Sequence, residues 1–437
     1  MRRIVPIPRL VPLLLILLAP VPAAAGEEIL PDFARLAAAE EARAIEDRQW
    51  FHARPELAGR EWETRAGVRE RLSAIPGVEL VEGDWGTGVV AILRGLSAKP
   101  LVAWRSDMDA LPITETTGLP FASTRTDTLR GKETGLSHAC GHDLHMSITL
   151  GAARVLSAAR DRMPGSILFL FQPAEETGDG AAAMLDAGVF DGERKPACVF
   201  ALHDHPTLRT GRIGSCPGWA TANVDVFRLV VKGSGGHGAY PHRAVDPVLL
   251  ASRMVTAFPS IIAREIDVNH HAVISVGSIE GGNKSSVIPG EVTLTATVRS
   301  HDEETRLALR DKVERTVRGL AASAGAPEPE LEYFFGTPAG YNDPKLVERA
   351  REVFRRVVGP ENETLYPPGM GGEDFSRFGR VVPGFQFRLG VSPEGGDAGP
   401  LHSSGFDPDE RAIAIGVRVV AELLWDRLIV ESESGGL

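Results

Sequence analysis

The sequence predicts an α/β fold interrupted by a second, α+β unit. Three observations carry this reading. Apolar runs at 166–171 and 197–202 read as buried parallel strands. Each runs into acids or histidines, the placement expected at the carboxyl ends of strands in an open α/β sheet. From 224 to 335 the order becomes strand, helix, strand, strand, helix, strand, the split βαβ or ferredoxin-like layout.

Composition sets the outer limits. The chain has 437 residues, 43% hydrophobic and 24% charged, enough for more than one domain. A formal net charge of −11 argues against a nucleic-acid surface. Met1-Arg-Arg, an apolar run over 10–20 and Ala23-Ala-Ala25 have the order of a secretory signal peptide, residues 1–25. The run is short for a membrane span, so we expect removal. The mature protein is then exported, periplasmic or extracellular, with no membrane attachment. Three cysteines, Cys140, Cys198 and Cys216, are too few and too odd in number for a disulfide framework. A Cys198–Cys216 pair would leave Cys140 free, a liability in an oxidising compartment unless a metal holds it.

In chain order, 30–53 and 62–74 read as helices, with a turn between them. Segments 89–94 and 101–104 read as strands. The second ends in Arg105-Ser-Asp-Met-Asp-Ala-Leu-Pro112, which puts Asp107 and Asp109 at a strand end. Ser137-His-Ala-Cys-Gly-His-Asp-Leu-His145 packs three histidines, a cysteine and an aspartate into nine residues. A thiolate and an imidazole two residues apart suit zinc and its neighbours. The plain alternative is a polar helix start capped by Asp143, with the helix over 147–159.

The strand at 166–171 leads into Gln172-Pro-Ala-Glu-Glu176, two adjacent carboxylates that are costly to bury without cations. The strand at 197–202 leads into His203-Asp-His-Pro206. Apolar strands that repeatedly end in metal-competent side chains are the main physical argument for a metal site. Residues 219–336 read as an inserted domain: a strand over 224–232, Gly233-Ser-Gly-Gly-His-Gly-Ala-Tyr-Pro-His242, a helix over 246–264, strands over 272–280 and 291–299, a helix over 303–322 and a strand over 330–335. The glycine-rich stretch lacks the Gly-Lys-Ser/Thr of a phosphate loop. The first domain, 26–218, resumes over 337–437 with a helix, the Gly371-Gly-Glu-Asp-Phe-Ser376 loop, a strand over 384–389, Leu401-His402 and a helix over 409–428.

Together these motifs resemble the M20 metallopeptidase and amidohydrolase family, in its branch of hippurate, N-acyl-amino-acid and auxin-conjugate hydrolases. The resemblance is carried by 105–112, His138-Ala-Cys-Gly-His-Asp143, 172–176, Leu202-His203, Gly236-His-Gly-Ala-Tyr-Pro-His242, Val287-Ile-Pro289, Gly372-Glu-Asp-Phe375 and Leu401-His402. It implies a zinc-peptidase-like α/β/α catalytic domain with an inserted ferredoxin-like lid and dimerisation domain, hence a homodimer. It implies two divalent metal ions per subunit, held by Cys140, His142, Glu176, His203 and His402. Zinc or manganese comes first, with cobalt or nickel also suited to the donors. Glu175 matches the general base, His237 a histidine reaching the substrate carbonyl, and Asp109 an acid that fixes a histidine tautomer.

One departure stands out. Many relatives carry Asn directly before Val-Ile-Pro, where this chain has Ser286, with Asn283 three residues earlier. The resemblance makes Asn283 and Arg299 the candidates for holding the substrate carboxylate. The expected function is metal-dependent hydrolysis of N-acyl amino acids or related small amides. A metallo-carboxypeptidase or dipeptidase uses the same metals with another pocket. A non-catalytic metal- or peptide-binding envelope protein would have lost part of this set.

Overall fold

The computed structural model describes residues 30–434, so the expected signal peptide lies outside the described residues. The chain opens with α1 (Phe33–His52), α2 (Trp62–Ser73), β1 (Val78–Val81), β2 (Val89–Leu93) and β3 (Leu101–Asp107). Then come α3 (His142–Ala158), β4 (Ser166–Gln172), β5 (Val199–Arg209) and β6 (Ile213–Ser215). Next are β7 (Asn223–Lys232), α4 (Pro247–Glu265), β8 (Ala272–Glu280), β9 (Glu291–Ser300), α5 (Glu303–Ser323) and β10 (Glu330–Phe335). The chain closes with α6 (Pro344–Val358), β11 (Glu363–Leu365), β12 (Gly384–Ser392) and α7 (Arg411–Ser434).

The larger sheet has the order β1-β2-β4-β3-β5-β12-β6-β11. Its centre, β4-β3-β5-β12, is parallel, and β3 and β4 are buried along their whole length. That is why these strands read as unbroken apolar runs instead of alternating ones. Helices α1, α3 and α7 pack with one another over one face, where Trp104, Phe169, Leu150 and Leu424 belong to one core. Phe375, Phe378 and Met184 cover the other face with Leu168 and Ala201. The result is an α/β/α sandwich whose parallel strands all end at one edge.

The second sheet has the order β8-β9-β7-β10, antiparallel throughout. Along β9 every second residue is buried, Val292, Leu294, Ala296 and Val298. Helix α5 answers with Leu309, Val313, Val317 and Ala321 at four-residue spacing. These residues, with Phe227, Leu229, Met254 and Phe258, form a core of their own. Asp246 caps α4 by accepting from Val248 and Leu249 N–H, which fixes its start at Pro247.

Helix α3 starts at His142, five residues earlier than the pattern suggested. Its N-cap is Gly141 at φ 74°, a left-handed residue, and Asp143 does not cap it. A Cβ at Gly141 would stand 2.6 Å from Asp204 Oδ1, so a side chain is excluded there for two reasons. All three cysteines are free. Cys198 is buried in the core, and Cys216 Sγ lies 3.4 Å from the Trp219 carbonyl, so the pairing raised above does not occur. No described helix is long and apolar enough to cross a membrane.

Candidate metal centre and active-site cleft

The parallel strands deliver the site. Asp107 closes β3 level with Gln172 at the end of β4, and His203 follows the apolar half of β5. Cys140 and His142 flank the left-handed Gly141, one on the loop and one in the first turn of α3. His402 arrives from a distant loop, tied by its N–H to the Ala139 carbonyl at 2.8 Å. It holds φ at 60°, and Ala174, just before Glu175, holds 53°. Two non-glycine residues in the left-handed region within one site are strain that the surrounding packing must hold in place.

Five side chains converge. Cys140 Sγ lies 3.6 Å from His203 Nε2. His402 Nε2 lies 3.4 Å from Glu176 Oε1, and His142 Nε2 lies 4.0 Å from the same oxygen. Ligand atoms on one tetrahedral ion with bonds of 2.0–2.3 Å stand roughly 3.4–3.7 Å apart, so this spacing suits a metal. Two triads with atoms mutually within 4.8 Å can be drawn, Cys140–His142–His203 and Cys140–Glu176–His402. They share the thiol. His142 Nε2 and Glu176 Oε1 are also buried without a hydrogen-bond partner among the described residues. Buried polar atoms are rarely left so, and a cation would satisfy both.

The histidine tautomers agree. His142 Nδ1 donates to the Asp109 carbonyl at 2.8 Å, and His203 Nδ1 to the Asp204 carbonyl at 2.8 Å. Each ring therefore presents its Nε2 lone pair to the cluster. Burial alone would keep His142 neutral, but the Asp107 charge and its bond to Asp109 raise its pKa. Burial pushes the Cys140 thiol up, and the Glu176 charge adds to this.

Asp109 meets His142 twice and has a further part. Its carbonyl accepts from His142 Nδ1, and its carboxylate Oδ1 lies 3.4 Å from the same nitrogen. Its carboxylate accepts from the N–H groups of Glu175 and Glu176, at 3.1 and 3.0 Å. On the other side of that turn, Glu61 accepts from Ala174 N–H at 2.9 Å and from Thr87 Oγ1 at 2.5 Å. Two carboxylates thus clamp the three residues that carry the paired acids. Burial raises the Glu175 pKa, and the charges of Glu373, Asp374 and Glu176 raise it further. A carboxyl in that state is suited to hold and hand on a proton.

Arg105 lies under the cluster, fully buried. It donates to Gln172 at 2.8 Å, Asp107 at 2.5 Å, Glu373 at 3.0 Å and Asp374 at 3.1 Å. Glu373 and Asp374 therefore fasten the 371–375 loop to the ends of β3 and β4. Burial pushes Asp374 up to about 7, and the Glu373 charge adds to the rise while Arg105 opposes it. His145 sits between Asp107 and Asp204, at 2.6 and 2.9 Å, which orders both acids beside the donors.

A cleft of about 510 Å³ opens over the cluster, lined by Cys140, Glu175, Glu176, His203 and His402. Arg299, from β9, lines it as well. His237 and Asn283 do not. His237 is exposed, with Nδ1 accepting from Ala239 N–H at 3.0 Å, and Asn283 borders a separate crevice with Lys284. Ser286 is exposed on the same loop as Asn283. Sequence reasoning assigned no role to Glu61, Arg105 or Asp204. Arg105 and Asp204 had a signal in their place at strand ends, whereas Glu61 lay among ordinary surface-helix charges.

The description "Peptidase family M20/M25/M40" matches residues 103–426. The N-acetylcysteine deacetylase of Bacillus subtilis is 35% identical over 87% of this chain and 96% of its own. Thermostable carboxypeptidase 2 of Saccharolobus solfataricus is 36% identical over 85% of this chain and 92% of its own. A crystal structure of a Bacillus subtilis protein described as a dinuclear metal-binding peptidase superposes with a TM-score of 0.77, at 32% identity over 90% of this chain and 99% of that one.

Proposed function

The chain belongs to peptidase family M20/M25/M40 and is a metal-dependent hydrolase of amide bonds, and from that premise we propose that its substrates are N-acyl amino acids or related small amides. The observation that carries the reading is the placement of Glu175. Its carboxyl borders the cleft, next to Glu176, with its turn clamped by Asp109 and Glu61. Similarity to a deacetylase supports the acyl-amino-acid substrate.

Cys140, His142, Glu176, His203 and His402 would hold two divalent cations, zinc or manganese by preference. Bound cations of this kind supply Lewis acidity and lower the pKa of water towards neutrality. Glu175 takes a proton from the attacking water and passes it to the amine nitrogen that leaves. Asp109 and Glu61 hold Glu175 at the angle this transfer needs, and Arg299 meets the substrate carboxylate. In this reading 26–218 and 337–437 form the catalytic part, and 219–336 a lid and dimer surface. A homodimer formed there would let the exposed His237 reach a neighbouring cleft and donate to the developing oxyanion. The 1–25 segment supports export to the periplasm or beyond.

Similarity to a carboxypeptidase supports a second reading, release of a C-terminal residue from a small peptide. Initial rates on N-acetyl amino acids, N-benzoyl amino acids and dipeptides separate the two. Cleavage confined to dipeptides would sink the acyl-amino-acid reading.

A further inference from the structure

The cleft contains a cation that the hydrolytic chemistry above does not use. Arg388 lies in β12, in register with His203 of β5 on one side and Gly214 of β6 on the other. In-register neighbours present their side chains to the same face of a sheet. Arg388 accordingly lines the same cleft as His203. It is half-buried, and its guanidinium makes no hydrogen bond or ion pair among the described residues. Arg105, beneath the cluster, is by contrast bonded to four side chains.

Four of the five carboxylates that line the cleft are committed. Glu373 and Asp374 bind Arg105, Glu176 pairs with His402 and Asp204 with His145, while Glu175 is kept for the proton transfer. Arg299 uses its Nε on Thr297 Oγ1 at 3.0 Å, which leaves its terminal nitrogens for a ligand. His205 lines the cleft too. Its Nδ1 accepts from Thr207 N–H at 3.3 Å, so its proton is on Nε2, a further donor. One cleft thus carries two guanidinium groups, one from each sheet, and neither makes an ion pair among the described residues.

We propose that Arg388 determines specificity by binding a second carboxylate of the substrate, so that the preferred N-acyl amino acids carry an acid beyond the α-carboxylate. This rests on the acyl-amino-acid reading, in which Arg299 takes the α-carboxylate. The second acid belongs either to the amino-acid side chain or to the acyl group. A planar guanidinium meets a carboxylate in both cases.

The test uses the metal-loaded enzyme and two pairs of isosteres: N-acetylglutamate against N-acetylglutamine, and N-succinylalanine against its succinamoyl amide. The acid of one pair should exceed its neutral partner in kcat/KM by about tenfold or more. R388Q should bring that ratio to within about threefold of one. R388K should retain part of the preference, and R253Q, which removes an exposed arginine on α4, should leave the ratio as in the parent. The responsive pair identifies which end of the substrate Arg388 meets. A ratio near one in both pairs, or a preference that survives R388Q, overturns the assignment. Absence of hydrolysis of all four compounds is a failure of the substrate reading instead. Calorimetric binding of the two acids then decides on Arg388: binding weakened about tenfold in R388Q upholds it, and equal binding refutes it.

Discussion

His142 Nε2 and Glu176 Oε1 face each other at 4.0 Å, both buried and neither hydrogen-bonded among the described residues. A cation between donors of this kind stabilises the folded chain by mass action, about 3–4 kcal/mol when free metal exceeds its dissociation constant by a hundred- to a thousandfold. Chelation should therefore lower the thermal midpoint, and Cys140→Ser should shed metal on dialysis that the parent retains, with activity falling in step. Elemental analysis and a melting curve read both. A C140S protein with full metal content and full activity would show that the thiol is not a donor.

Replacing Glu175 by Gln removes the proton acceptor and keeps the shape. The turn is held through backbone N–H groups, so it should survive. We expect kcat to fall about 10²–10⁴-fold while metal content and melting temperature stay near the parent values. Hydrolysis at the original rate would remove Glu175 from the chemistry.

Asp109→Asn turns one of two accepting oxygens into a donor that opposes a peptide N–H. The expected cost is about 2 kcal/mol in stability, with kcat reduced more than KM changes, because the turn carrying Glu175 loosens. Denaturant melts and steady-state kinetics measure this. A variant with parental stability and kcat would contradict the clamp.

His52 gives a pH signature. Burial opposes its charge, but Asp143 at 2.9 Å and Glu115 at 3.0 Å outweigh burial, and its pKa rises from 6.5 to about 9. A raised histidine stabilises fully below its unfolded value near 6.5 and loses that contribution as the pH climbs through about 9. The difference in stability between parent and His52→Gln should be larger at pH 6 than at pH 10, by on the order of 3 kcal/mol. Unfolding curves that stay equally separated at both pH values would exclude this.

The strands that frame the site were legible because they are buried on both faces. Ser166–Gln172 reads as one apolar run for that reason, and Glu175 and Glu176 follow it in plain view. Edge strands such as Val78–Val81 and Glu363–Leu365 have three or four residues, too few for any period to show. The helix start at His142 was missed because its cap is a left-handed glycine, which has no side chain to announce it. The clamp by Asp109 and Glu61 was out of reach for another reason. Both contacts run to backbone N–H groups far along the chain, and sequence carries no pattern for those. Arg388 lay unnoticed in an apolar strand, where a single charge reads as a solvent-facing residue.

The strand that carries Arg388 has one more consequence. It forms late in the chain, at Gly384–Ser392, yet it lies inside the sheet, between β5 and β6. During synthesis the sheet must stay open between β5 and β6 until the ribosome has passed residue 392, and His402 follows ten residues later. Until then the growing chain leaves the β12-facing edges of β5 and β6 unpaired, and the five expected donors are all present only once residue 402 has been made. Any truncation before residue 384 removes an internal strand and leaves the edges of β5 and β6 that face it without their partner.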